Sequence, residues 1–289
     1  HQHNTNGALI ISAMVEDSIN NRLIKTGAGE LRLTNDGNNF DDGPYIYGGT
    51  VTFTSISNVN TVSAFGKDED DEGHRLQNGT MRYIGTGDNS DRKIVLRGPG
   101  TIDASGSGKL LLNRSSSPVI SRTMGAWHPL TLTGTGVGEI AGEIDILFGT
   151  VTKEGSGTWI LSGTNTYVGD TFVNDGTLEI PGQVRGDVIV NSGGALTGDG
   201  HLRSDLVLTG TMAVDFDSSS SPLTVDGEVT LSGDLEITGD VPSDEAVLID
   251  AGEGVSGTFD SVTDPYIVTY EDDGTVTARV PSGSLFILY

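Results

Sequence analysis

The 289-residue chain has no cysteine, which excludes a disulfide scaffold, a zinc–thiolate module and a thiol enzyme. Basic residues are scarce: 16 Lys and Arg stand against 40 Asp and Glu, a formal charge of −24. Nucleic-acid binding is not expected, because contact with a phosphate backbone needs Lys and Arg to displace its counterions. No apolar run approaches the ~18 to 20 residues of a membrane helix, so no membrane insertion is expected. The first residues, His1-Gln2-His3, offer neither an initiator Met nor a basic-then-apolar signal, from which a processed or excised chain is expected.

Glycine, by contrast, is abundant: 42 residues, about twice the ordinary share. No G-X-Y period holds, so the chain is not collagenous, and short alternating apolar runs argue against disorder. Leu31-Arg32-Leu33, Leu130-Thr131-Leu132-Thr133, Leu206-Val207-Leu208-Thr209 and Leu235-Glu236-Ile237-Thr238 are typical. Each is too short for a helix, carries a polar residue at alternate positions and is bounded by Gly, Asn, Asp or Ser, which reads as a half-buried strand. The stretch Ala8 to Thr26 lacks Gly and Pro for long enough to admit a helix, but its Ile-Ile and Leu-Ile pairs also fit strands. An all-β chain forming one elongated body follows.

An internal repeat sharpens this reading. Lys25-Thr-Gly27-Ala-Gly29-Glu-Leu31, then Asn39-Phe40, Gly43 and Gly49-Thr50-Val51, parallels Lys153-Glu-Gly155-Ser-Gly157-Thr-Trp159, then Asn165-Thr-Tyr167, Gly169 and Gly176-Thr177-Leu178. A short strand cannot bury its apolar face alone, so each unit needs a neighbour stacked on it, and glycine lets the chain take the tight corner between strands. With parallel rungs ~4.8 Å apart, about 12 to 14 turns make a rod of roughly 60 Å. The expected division is a solenoid over 1–240, with repeat copies at 25–53 and 151–180, and a C-terminal cap with an apolar tail over 241–289.

These residues resemble a known family. The segment from Val151 to Ile180, with Lys-x-Gly-x-Gly-x-aromatic-x-Leu-Ser-Gly-x-Asn-Thr-Tyr-x-Gly and a closing Gly-Thr-Leu, is very similar to the autotransporter-associated β-strand repeat, or passenger-associated transport repeat. Lys25 to Phe53 is a weaker copy, with Asn35 where a Gly is expected. The resemblance implies a right-handed parallel β-helix on the bacterial cell exterior, serving as a stalk, adhesin or scaffold. Neither a series of membrane-barrel strands nor a basic-tailed anchor follows, so an excised passenger or a released subunit is expected.

Candidate chemistry is thin. The acidic run Asp68-Glu69-Asp70-Asp71-Glu72-Gly73 offers hard oxygen ligands, and Asp68, Asp70 and Glu72 are the candidate Ca²⁺ ligands. Twelve positions from Asp68 the residue is Gly79, so the bidentate Glu of a calcium loop is missing, and a solvated loop is the competing reading. No other cofactor is expected. Ser105 to Leu110 mimics a phosphate loop but has Asp103 and Leu110 where Gly and Ser/Thr are required. The five histidines are scattered, which argues against catalysis. Trp159 sits at an alternating strand position and reads as core, whereas Trp127, in an irregular stretch, is the candidate glycan contact.

The ends suggest partners. Leu9, Ile10 and Ile11 begin strand-like at once, and Leu285, Phe286, Ile287, Leu288 and Tyr289 form an apolar tail that either plugs the last rung or adds to the next subunit. The expected function is an extracellular structural solenoid, a stalk, matrix or filament subunit associating head to tail. An adhesin binding a glycan or host surface is the alternative, and a polysaccharide-active enzyme, with Asp and Lys or Arg converging in a groove, is the third reading.

Overall fold

A pleated chain places alternate side chains on opposite faces, so a run with an apolar residue at every second position can bury one side. The computed structural model describes residues 1–16, 22–68, 73–123, 125, 127–217, 221–239 and 245–281. Within it burial alternates along Glu30–Leu33, Leu130–Thr133, Leu206–Leu208 and Val229–Leu231. All regular elements among the described residues are strands, and no helix long and apolar enough to cross a membrane is present there. The stretch that admits a helix by composition instead holds the strands Leu9–Ile11 and Arg22–Lys25.

The strands stack as the coils of a parallel β-solenoid with three faces. The first face is a 12-stranded sheet and the second a 9-stranded sheet. The third consists of two 6-stranded sheets, and an isolated bridge from Thr164 to Gln183 falls in the coil between them. One coil runs from Leu130–Thr133 on the first face through Val137–Ile140 on the second and Ile144–Asp145 on the third. It returns to the first face as Val151–Lys153, parallel to its start, with Leu130 opposite Val151. The twelve strands of the first face bound eleven turns, fewer than the ~12 to 14 expected. Antiparallel pairing enters at the C-terminal end, where Thr275–Arg279 pairs with both Ala246–Ala251 and Ile267–Tyr270.

Register converts the alternation into ladders. Inward on the first face Leu31, Val51, Met81, Ile102, Leu132, Lys153, Val173, Val190, Leu208 and Leu231 stand in line on successive rungs. All are buried, so each apolar rung contributes about 1.5 to 3 kcal/mol of burial, and one member of the line is a lysine. Outward, Thr50, Thr80, Thr101, Thr131 and Thr152 form a hydroxyl ladder, half-buried at every step.

The glycines mark the corners. A Cβ on Gly106, Gly136 or Gly157 would fall on the carbonyl oxygen of Gly85, Gly106 or Gly136 in the coil before it. Gly163, Gly182 and Gly200 stack in the same way at the second corner, and Gly149, Gly169 and Gly186 at the third. Close approach between consecutive coils, more than unusual backbone angles, accounts for the high glycine content. Gly138 makes room for a side chain instead of a backbone, since it pairs with Trp159 and a Cβ there would lie 2.7 Å from the indole.

Candidate functional site

The repeat motif is built around a buried lysine at a corner. Lys153 is fully buried, and its Nζ donates to the carbonyls of Glu154, Gly155 and Asp175 at 2.9, 2.6 and 2.8 Å. The first two belong to its own corner and the third to the corner of the next coil, so one ammonium staples two coils. Lys25 repeats the arrangement on Thr26, Gly27 and Gly48, at 3.1, 2.6 and 2.9 Å. Gly49 and Gly176, both at positive φ, follow the stapled carbonyls, and a Cβ at either would lie within 2.8 Å of the lysine Nζ.

A buried asparagine makes the second staple. Asn165 accepts from the amide of Ile144 in the coil before and donates to the carbonyls of Gly163 and Gln183, the latter in the coil after. In the first copy Asn38 does this work, accepting from Val15 and donating to Ala64. The repeat as read in the sequence pairs Asn39 with Asn165. The structure moves the match to Asn38, because Asn38-x-Phe40 has the spacing of Asn165-x-Tyr167 and all four are buried. The two copies also start one face apart. Lys25 ends a strand of the third face, whereas Lys153 ends a strand of the first. The motif is therefore a corner-to-corner unit that can begin at more than one edge of the triangle.

Of the acidic run, Asp68 and Gly73 are described. Glu69, Asp70, Asp71 and Glu72 lie outside the described residues, so of the candidate calcium ligands only Asp68 is placed. Asp68 is buried, and its carboxylate sits 3.5 Å from His74 Nε2. Arg92 closes this cluster by donating to the carbonyls of Phe65, Thr61 and Gly66. Burial, reinforced by the charge of Arg92, holds His74 well below the ordinary histidine pKa, and burial also lowers Arg92 to about 10. The cluster ties the loop over the coil. Among the described residues no group of three or more His, Asp or Glu is arranged to hold a metal ion.

Trp159 lies in the core, 1% exposed, with its indole N–H donating to Thr133 O at 2.9 Å. Trp127 is 64% exposed and packs edge-on against Phe148, itself 54% exposed, with ring centroids 5.3 Å apart. Phe148 is a residue that sequence reasoning missed. The signal was the variable position in the Tyr-x-Gly of the repeat: Val168 there points outward, and Phe148 precedes the equivalent glycine one coil earlier.

Where the second and third faces meet, a groove is lined by Glu179, Asp199, Asp215, Met212 and Val247, with no Lys or Arg among the described residues that line it. Burial, helped by Glu139, raises the Glu179 pKa. At the N-terminal side Leu9 and Ile10 are exposed and Ile11 packs on the core, all in a strand paired with Glu30–Leu33. Leu285, Phe286, Ile287, Leu288 and Tyr289 lie outside the described residues.

Residues 23–53 and 151–180 match the family described as passenger-associated-transport-repeat. The chain carries two of these repeats. It is 32% identical over 168 residues, 57% of its length, to the BmaC adhesin autotransporter of Brucella suis biovar 1 (strain 1330), of which it spans 4%. Shorter stretches resemble extracellular serine proteases of Serratia marcescens. One is 48% identical over 52 residues and another 43% over 51, each 18% of this chain and 5% of the protease. The chain thus spans only a small part of these relatives. No solved structure matches it significantly.

Each passenger-associated-transport repeat contains one lysine staple and one asparagine staple, and this predicts a pH dependence. Burial lowers the Lys153 pKa to about 8, with the charges of Asp175 and Glu154 opposing, whereas an unfolded lysine titrates near ~10.4. Between those values the unfolded chain holds a proton that the folded chain has released, so stability rises with pH. Burial raises Tyr83 and Tyr167 above the tyrosine norm, so above about pH 10 the unfolded chain loses protons first and stability falls. Denaturant midpoints should therefore crest between about pH 9 and 10, with Lys153 accounting for roughly 1 to 3 kcal/mol of the rise. A midpoint that falls steadily from pH 7 to 10 contradicts this account of the staple.

Proposed function

We propose that the chain is a non-catalytic segment of a secreted, surface-displayed passenger that serves adhesion. The observation that carries this reading is the continuous parallel ladder of the first face, a stiff body whose corners and side loops are held at fixed places, in a chain that resembles an adhesin over 168 residues. Its two passenger-associated-transport repeats, with staples joining consecutive coils, fit a rod that must stay extended outside the cell. The protease likeness, 52 residues long, amounts to two or three coils, too little for a catalytic domain. No Lys or Arg stands among the described residues that line the acidic groove, and Lys109, whose charge reaches Glu179, is paired with Glu139 at 2.6 Å, unlike the free basic partner that a polysaccharide-cleaving site would need.

The test is display of the whole chain on a non-adherent bacterium through a heterologous translocator, followed by counts of cells bound to host-cell monolayers. Binding well above the empty translocator is expected. Counts equal to that control, with the chain proved present at the surface, overturn the reading. Head-to-tail association is the second reading, favoured by the exposure of Leu9 and Ile10 on a strand of the longest sheet. Sedimentation at rising concentration tests it, and a monomer throughout removes it.

A further inference from the structure

We propose that the corner formed by Trp127 and Phe148 is a platform for a neutral pyranose oligosaccharide, an inference that deepens the adhesion reading and rests on it. The two rings come from consecutive coils: Trp127 precedes Leu130–Thr133, Phe148 precedes Val151–Lys153, and these strands pair in register. Their planes meet at 69°, so together they present a floor and a wall. Phe53, Phe65, Tyr83, Tyr167 and Trp159 are 1% exposed or less, which leaves the exposure of Trp127 and Phe148 unexplained by packing. Val168, 36% exposed, extends the apolar strip onto the next coil.

Size selects the ligand. Rings of 150–250 Å² that are a little over half exposed offer roughly 250 Å² together. A stable protein interface needs about 800 Å² from each partner. A pyranose needs only one ring face for its axial C–H groups, with polar side chains beside it for its hydroxyls. Arg122 and Asp145 end the two strands that lead into these same corners, and they are loosely paired, N to O 3.7 Å, with both side chains partly open to solvent. Such a donor and acceptor suit vicinal hydroxyls. The net charge of −24 repels uronates and other acidic sugars, which leaves neutral ones.

Trp159 is buried, so a ligand-dependent change in tryptophan emission reports on Trp127. The intact chain is titrated with cellotetraose, chitotetraose and β-1,4-mannotetraose, and calorimetry is run in parallel. Saturable binding of at least one is expected, weakened more than tenfold in Phe148→Ala by fluorescence and in Trp127→Ala by calorimetry, and unchanged in the remote Ile267→Ala. No saturable binding of any of the three up to about 10 mM overturns the proposal, as does binding that both corner variants retain. The same variants are displayed on bacteria. If the parent adheres and no sugar binds, this inference fails while the adhesion reading stands, and loss of adhesion in Trp127→Ala would then assign the corner to a protein. If the parent itself does not adhere, the adhesion reading fails, and saturable sugar binding would leave the platform standing alone.

Discussion

Gly157→Ala weakens the middle of the solenoid by about 3 kcal/mol, at the upper end of what overpacking usually costs. The new Cβ falls on the carbonyl oxygen of Gly136 and lies 2.9 Å from Gly134 O and from the carbonyl carbon of Thr135. All three are backbone atoms in the coil beneath, so no side chain can turn aside. Relief requires the corner to lift, and lifting it strains the hydrogen bonds from Gly157 N to Gly134 O, 2.9 Å, and from Thr158 N to Gly136 O, 3.0 Å. A solenoid adds local and nearest-neighbour stabilities, so the damage stays close to the site. Hydrogen exchange should quicken in residues 130–180 and remain unchanged in residues 79–83. Gly7→Ala is the control, since nothing lies within 4 Å of a Cβ at that position. Equal denaturant midpoints for the two variants would show that the corners have room to spare and that glycine is frequent here for another reason.

Such a corner was partly legible in the sequence. Period-two alternation in Leu130 to Thr133 and Leu206 to Thr209 identified strands, because inside and outside positions differ in polarity. The Lys-x-Gly-x-Gly motif identified a repeated turn. What alternation cannot encode is which edge of the triangle a unit starts from: inward residues look alike on all three faces, so the one-face offset between Lys25 and Lys153 emerged only from the pairing. The same applies to Asn38, whose role depends on the amide of Val15 and the carbonyl of Ala64, far away in sequence. Asp68 illustrates the converse. An acidic run reads as solvated, yet this carboxylate is buried beside His74, on the strand His74–Leu76, and within reach of the charge of Arg92. Trp127 was readable as a surface residue because no alternation surrounds it, whereas its partner Phe148 lies in the next coil, where only stacking brings it alongside.

Lys153→Met lowers stability by about 3 kcal/mol, and the competing terms decide the sign. The substitution makes the inward ladder of the first face wholly apolar between Leu132 and Val173, and it removes a buried charge whose protonation burial already disfavours. Both changes favour the variant. The gain is small, because the methylenes of the lysine stem are packed already and methionine is of similar length. Against it stand the carbonyls of Glu154, Gly155 and Asp175, each of which loses its bond from Nζ. An orphaned buried acceptor costs about 1 to 3 kcal/mol, so even partial rehydration of three leaves a net loss. Lys25→Met should behave alike, and the two losses should add, because the staples lie several coils apart and share no partner. Neutralising Lys153 by raising the pH is a milder change than deleting it: the amine keeps two N–H donors while shedding its desolvated charge. The lysine is therefore retained for its geometry as a donor with three directions at one point, and a variant as stable as the parent would show instead that the corner carbonyls are satisfied by water.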